Sequence, residues 1–258
     1  SDTVYKTDNG YVSMKYDEKF VYFLVYKKGL DFENETLYIP IDTTPKTGSS
    51  FCENYNLKFD KGVDFIIKLN GKNNSRLQVQ ERYESLRSTY SVNIYNFDTY
   101  VKEIIPEKTS PKFVNINMIL KTEKLIMFDI LDTKGEVFET GKLTYGNANP
   151  ESRDFNSLAD FINSGDYIEI KLPWQLLNFA DPSRMQIHDD YYDGNYGVDY
   201  MEIDKMYVGL VTEASGANTR HTLAPLALKR WNNKVTYHER LKSSYYILKD
   251  YWTGGAEK

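Results

Sequence analysis

The segment Gln186–Asp199, QIHDDYYDGNYGVD, gathers four acids, three tyrosines, two glycines and a histidine into one short run. Asp189, Asp190, Asp193, Asn195 and Asp199, with Glu202 just beyond, are hard oxygen donors of the kind Ca²⁺ requires. The pattern Asp193-x-Asn195-x-Gly197-x-Asp199 partly follows a calcium loop, but it lacks the regular donor ladder and the closing glutamate. Three roles suit such a segment, in this order: acids that order their own loop, a ligand contact through His188 and Tyr191, and a Ca²⁺ site built from the five donors. His188 has no neighbouring His or Glu at metal-ligand spacing, and His221 and His238 lie far along the chain. The zinc-hydrolase signature is therefore missing.

Other reactive patterns are equally sparse. With 37 acidic residues, spacing alone cannot single out the carboxylate pair that glycoside hydrolysis needs. No Gly-x-Ser-x-Gly elbow, phosphate-binding glycine loop or dinucleotide fingerprint occurs. Cys52 is the single cysteine, which excludes an internal disulfide and a thiolate zinc site. No basic neighbour flanks it in SSFCENYN, so an inert thiol is expected.

Two aromatic settings carry more. Trp231 sits in KRWNNK beside Arg230, Asn232 and Asn233. An indole face can stack on a pyranose while amides and charges take its hydroxyls. The same residues equally suit one partly buried tryptophan beside a surface loop. Trp174, in LPWQLLNF, is surrounded by leucines and fits a core.

The elements that must position these groups are mostly strands. KFVYFLVYKK, Lys19–Lys28, is apolar on both alternating faces and suits a strand buried on both sides. YVSMKYDEK before it gives a strand and a turn at Asp17-Glu18. TLYIPID, Thr36–Asp42, gives a strand whose Pro40 places it at an edge or bulge. Two strand-like runs flank Asn70-Gly71, a hairpin signal, and Asn73-Asn74 lengthen the turn. On the second of these strands Arg76, Gln78 and Gln80 alternate with Leu77, Val79 and Glu81. Further strands are expected at Ser91–Tyr95, Phe113–Leu120, Leu125–Leu131, Tyr167–Leu172, Met206–Thr212 and Tyr245–Leu248. Short helices are expected in SLADFINSG, with a Ser-x-x-Asp cap and a glycine stop, and in LPWQLLNF, with Pro173 in its first turn.

Composition agrees. The chain has 258 residues, 41% hydrophobic and 27% charged, enough to bury a core. Aromatic content is 15%, mostly 22 Tyr and 13 Phe, residues that favour pleated surfaces. A net charge of −5 without a basic stripe argues against nucleic acid and anionic lipid as partners. No apolar run reaches the length of a membrane span. The chain opens at Ser1 inside foldable sequence, as an excised domain or mature fragment would. The pattern predicts a single all-β domain over residues 1–258, a jelly-roll-like β-sandwich with a few short helices in its connections.

VSMKYDEKFVYFLVYKKG, LYIPIDTTPKTGS, VDFIIKLNGKNNSRLQVQERY and GDYIEIKLPWQLLNFADPSRMQIHDDYY together resemble a module of Gram-positive, mainly clostridial, surface proteins that follows a glycosidase-like barrel. Val12–Tyr192 carries the resemblance. The module is distantly similar to family 9 carbohydrate-binding modules and DOMON-like sandwiches. The resemblance implies an extracellular or cell-surface β-sandwich, sugar binding and a structural Ca²⁺. Family 9 modules grip a terminal sugar between two tryptophans, and Trp174 lies at an aligned motif.

The leading expectation is a non-catalytic accessory domain that binds or positions polysaccharide for a larger cell-surface protein. Its contacts would be Arg76, Gln78, Gln80 and Glu81 on the hairpin, with Trp174, His188, Tyr191, Trp231 and Asn232. One alternative is a structural module packed on a neighbouring catalytic domain, which calls for a large apolar patch and no glycan binding. Another is a glycoside hydrolase, which calls for two carboxylates converging in a cleft.

Overall fold

The structure, a computed structural model, describes residues 2–84, 105–121, 136–193, 199–212, 219–231 and 243–253. Strands are numbered along the chain. A five-stranded antiparallel sheet is formed by β1 (Thr3–Lys6), β2 (Gly10–Tyr16), β3 (Phe20–Lys27), β12 (Phe161–Ser164) and β13 (Tyr167–Pro173), in the order β1-β2-β3-β13-β12. A six-stranded sheet contains β4 (Leu37–Asp42), β7 (Phe65–Leu69), β8 (Arg76–Gln80), β9 (Phe113–Asn115), β17 (Lys205–Val208) and β19 (Ala224–Ala227), in the order β19-β17-β4-β7-β8-β9.

The two sheets share one core. Val12, Met14, Val21, Phe23, Val25 and Ile170 from the first meet Leu37, Ile39, Ile41, Phe65, Ile67 and Val79 from the second. Each set follows the two-residue period of a strand, so one face of every strand turns inward. The molecule is thus an all-β sandwich, as its patterning predicts.

A third layer covers the other face of the six-stranded sheet. It is formed by β5 (Ser49–Cys52), β6 (Leu57–Val63) and β18 (Arg220–His221). Cys52, Leu57, Phe59 and Val63 of this layer pack on Ile66 and Phe113 in a second core. This double covering explains the continuous apolar run FIIKL of β7, in which Ile66 and its neighbours serve opposite faces. Cys52 is fully buried, and burial pushes its thiol up to about 11, consistent with an inert side chain.

Two smaller groups complete the set. β14 (Phe179–Asp181), β15 (Gln186–His188) and β16 (Tyr200–Glu202) form a three-stranded sheet whose Phe179 and Ile187 enter the first core. β10 (Asn117–Lys121) and β11 (Glu136–Glu139) form a ribbon. Among the described residues helical structure is slight: a single turn α1 (Gly71–Asn74), short 3₁₀ turns, and α2 (Ser243–Trp252).

The Asn70-Gly71 hairpin forms between β7 and β8, with α1 as its lengthened turn and Gly71 at φ +62°. LPWQLLNF forms the expected short turn, a 3₁₀ helix over Trp174–Leu177 led by Pro173. Several expectations are corrected. SLADFINSG is not a helix: Phe161–Ser164 is β12, paired to β13 through the two-residue loop Gly165-Asp166. Gly165, at φ +58°, turns the chain there instead of stopping a helix. Tyr245–Leu248 lies in α2, not in a strand. It pairs with no strand among the described residues, and a helix satisfies backbone groups within its own segment.

Pro40 is not at an edge, because β4 pairs with β7 on one side and with β17 on the other. The ladder instead has a local gap. Gly209 donates its N–H to the Pro40 carbonyl (3.0 Å), and Pro40 has no N–H to return. A β-carbon at Gly209 would lie 3.0 Å from the proline ring, so the residue opposite must be small. β3 is buried fully on one face only, its other face (Phe20, Tyr22, Leu24, Tyr26) being half-buried. The strands expected at Ser91–Tyr95 and Leu125–Leu131 lie outside the described residues.

Candidate functional site

The acidic segment meets cations from three other parts of the chain. Asp190 is almost fully buried and receives both Arg82 Nε and Arg82 Nη2 at 2.8 Å. Lys108 lies 3.5 Å from Asp190 and 3.1 Å from Asp193, and Lys46 pairs with Asp189. The hydrogen bond from Lys108 holds the Asp193 carboxyl below its ordinary range, and the one to Asp189 raises the Lys46 ammonium. Arg82 also donates to the Pro106 carbonyl, and its guanidinium lies 5.2 Å from the Tyr192 ring centre. These pairs tie loop 43–48, the end of β8 and loop 105–112 to the segment after β15.

The acids therefore order loops. Three of the five Ca²⁺ donors expected from sequence are neutralised by Lys46, Arg82 and Lys108. Of the others, Asn195 lies outside the described residues, and Asp199 accepts the Asp189 N–H through its backbone carbonyl. An oxygen cage for a divalent cation would have to displace those side-chain cations, so this donor set does not fit Ca²⁺. Among the described residues no cluster of three or more potential ligands is placed to hold a metal. His188 packs its ring against Tyr200 and Tyr191, at 5.2 and 6.2 Å, and Tyr191 donates its hydroxyl to Asn178 (3.1 Å).

The remaining contacts expected from sequence are built into the scaffold. Gln80 is fully buried and donates to the Ser110 carbonyl (3.1 Å) while accepting from Arg82 N–H (3.0 Å). Gln78 is 7% exposed, accepts from the Tyr55 hydroxyl and donates to Asn115 (3.0 Å). Glu81 accepts from the Ser110 hydroxyl, and Arg76 faces Glu139 at 3.5 Å. The third layer lies over this face, so Gln78 and Gln80 are corrected from surface contacts to buried ties. Trp174 is fully buried, its indole N–H donating to the Asp17 carbonyl (2.8 Å), and so it cannot grip a terminal sugar. Trp231 packs beside Tyr16 and Trp174, each 6.2 Å away. Asn232 and Asn233 lie outside the described residues.

An open concave feature lies elsewhere. A cleft of about 840 Å³ lies on the outer face of the five-stranded sheet, within the size range of ligand sites. Strand register puts its residues in cross-strand rows. Ser13, Leu24, Glu169 and Ile162 are successive partners, as are Lys15, Tyr22 and Lys171. Phe20, Tyr22 and Leu24 form the floor along β3. Asp2 and Thr3 at the β1 edge, and Gly146–Asn149 beside β12, form the walls.

Polar groups line both walls. Thr3 and Ser13 share a hydroxyl hydrogen bond (3.2 Å), and Lys15 pairs with Asp2 (3.0 Å). Lys171 Nζ lies 5.0 Å from the Phe20 ring centre. The Tyr22 hydroxyl donates to Asp17 (2.8 Å), and burial, then Asp17, pushes its ionisation up to about 12. Burial opposes the Asp17 charge, but the N–H groups of Lys19 and Phe20 outweigh it and hold that carboxyl low. Burial raises the Asp160 carboxyl, in part offset by the Thr144 N–H and Lys171. One row beyond the cleft, Tyr11, Tyr26 and Tyr167 pack ring against ring at 5.1 and 5.0 Å.

Sequence reasoning missed this face because tyrosine and leucine on alternate positions of β3 look buried from both sides. The signal lay in the flanking strands. In β2, Val12 and Met14 alternate with Tyr11, Ser13 and Lys15. In β13, Ile168 and Ile170 alternate with Tyr167, Glu169 and Lys171. No protein-family model matches this chain, and a search of curated proteins gives no match either.

Proposed function

We propose that this protein is a glycan-binding β-sandwich module whose ligand lies in the cleft on the outer face of the five-stranded sheet. The observation that supports this most is the combination of an aromatic and aliphatic floor with walls of hydroxyl, amide and charged groups. Aromatic rings stack on the C–H faces of pyranoses, and the wall groups can take their hydroxyls. The resemblance to surface-protein modules supports an extracellular setting and a role beside a catalytic domain. Affinity gel electrophoresis of the chain in a panel of soluble polysaccharides tests the proposal. Retardation by at least one polymer, lost in Tyr22→Ala, is expected. Unchanged mobility of the folded protein in every gel would overturn it.

Two observations favour other readings. Asp160 and Glu169 both line the cleft, and Glu169 pairs with Ile162, two residues beyond Asp160. Such a diagonal places two carbons about 7–8 Å apart, compatible with a glycosidase carboxylate pair. Release of reducing ends from a retarding polymer, abolished in Glu169→Gln, would replace binding with hydrolysis. The exposed Ile247, Leu248, Tyr251 and Trp252 of α2 favour a structural module docked on another domain. Absence of glycan binding together with a stable complex with that domain would select it.

A further inference from the structure

Resting on the glycan-binding reading, we infer that the ligand is an uncharged polysaccharide held by an internal stretch of its chain, which lies along β3. The direction follows from the walls. The lining is bounded by Asp2 and Thr3 at the β1 edge and by Gly146–Asn149 beside β12 at the other edge, with β3 central between them. A groove between opposite sheet edges runs parallel to the strands. Its floor residues Phe20, Tyr22 and Leu24 recur every second position, about 7 Å apart. Within the cleft, Phe20 to Leu24 spans about 13 Å, and the Tyr11–Tyr26–Tyr167 row continues the same face beyond it. That length exceeds what one sugar ring covers, and the polar groups are spread along both walls instead of converging on one point.

Charge selects the class. The cleft holds Asp2, Asp160 and Glu169 against Lys15 and Lys171. Lys15 is already paired with Asp2, and Lys171 lies beside Asp160 and over Phe20. Among the described residues, no excess of cations faces the groove to meet uronate, sulfate or phosphate groups. Charge-assisted recognition of an acidic polymer would need one. The chain as a whole carries −5, which repels such polymers further.

The test uses the full chain in two steps. The first compares affinity gels containing neutral polymers (hydroxyethyl cellulose, xylan, galactomannan) with gels containing polygalacturonate or hyaluronan. The second titrates oligosaccharides of the best neutral polymer, from disaccharide to hexasaccharide, by calorimetry. Retardation only by neutral polymers is expected. So is affinity that rises at least tenfold from disaccharide to pentasaccharide and is unaffected by reduction of the terminal sugar. Tyr22→Ala should weaken hexasaccharide binding at least tenfold with a retained melting transition, and Tyr22→Phe should retain most of it. Tighter retardation by the acidic polymers, or full affinity at the disaccharide, overturns the inference while leaving glycan binding standing. No retardation by any polymer overturns both.

Discussion

The outward side chains of the six-stranded sheet (Tyr38, Lys68, Arg76, Gln78 and Gln80) are as polar as Ser13, Lys15, Tyr22, Glu169 and Lys171 on the five-stranded sheet. Their surroundings differ. Over the first lies a third layer of strands with its own apolar core, so Gln78 and Gln80 are closed in and matched to protein partners. Over the second lies a cleft. Two strand faces with the same polar alternation thus have opposite uses, one as internal structure and one as a candidate binding surface. The difference lies in what β5, β6 and β18 cover, not in the strands being compared.

Substitutions should separate the two regions by which quantity they change. The largest stability effect is expected where a charge is buried. Asp190→Ala strands the Arg82 guanidinium away from water and should cost about 3–5 kcal/mol, measured by urea unfolding. A loss below about 1 kcal/mol would mean the pair is solvated and the loop is not held by it. Gln80→Ala, beneath the covered face, should cost about 1–3 kcal/mol because the Arg82 N–H and Ser110 carbonyl lose their partner. In contrast, Tyr167→Ala on the open face, at a side chain 42% exposed, should change stability by about 0.5 kcal/mol or less. A cost equal to that of Gln80→Ala would show that the tyrosine row is structural.

The covered sheet should also carry the pH dependence. Burial raises Asp42 from 3.8 to about 7 and holds Asp64 well above its ordinary value. Asp64 is fully buried and accepts the N–H groups of Thr43 and Thr44 at 2.8 Å. Between pH 4 and 7 the folded chain keeps the Asp42 proton while the unfolded chain has released it. Stability therefore falls as pH rises through that window. Asp42→Asn should flatten the slope and stabilise the protein at pH 8 by up to about 4 kcal/mol, since the shift is about three pKa units and each corresponds to about 1.4 kcal/mol. An unchanged slope in urea melts from pH 5 to 8 would assign it to Asp64 instead. The smallest effect is expected from chelation. With its acids paired to Lys46, Arg82 and Lys108, the segment after β15 should melt at the same temperature with and without EDTA. A rise on adding Ca²⁺ would reveal a native-state ligand and reopen the metal assignment.

The sandwich itself was legible along the chain. Alternation in GYVSMKY and YIEIKLP, the apolar run FVYFLVYK and the Asn70-Gly71 turn are local patterns, and a strand's inward face follows from its two-residue period. The errors arose where local chemistry was ambiguous. FINSG carries a helix-stop glycine that serves equally as a hairpin turn. SSYYILKDYW has strand-forming residues but pairs with no strand among the described residues. Pro40 reads as an edge or a bulge, but it sits inside the sheet opposite Gly209.

Residue types alone determined that this chain would form β-structure, and they showed a single cysteine without a basic neighbour, no basic stripe and no apolar run of membrane-spanning length. They also showed that QIHDDYYDGNYGVD was rich in oxygen donors. Only the tertiary structure decided what those oxygens face, because Lys46, Arg82 and Lys108 lie 85 to 143 residues away in the hydrogen-bonded pairs they make. It also decided which sheet face stayed open. A strand's sequence states that its two sides differ, but a third layer, assembled from distant segments, determines which polar side meets solvent.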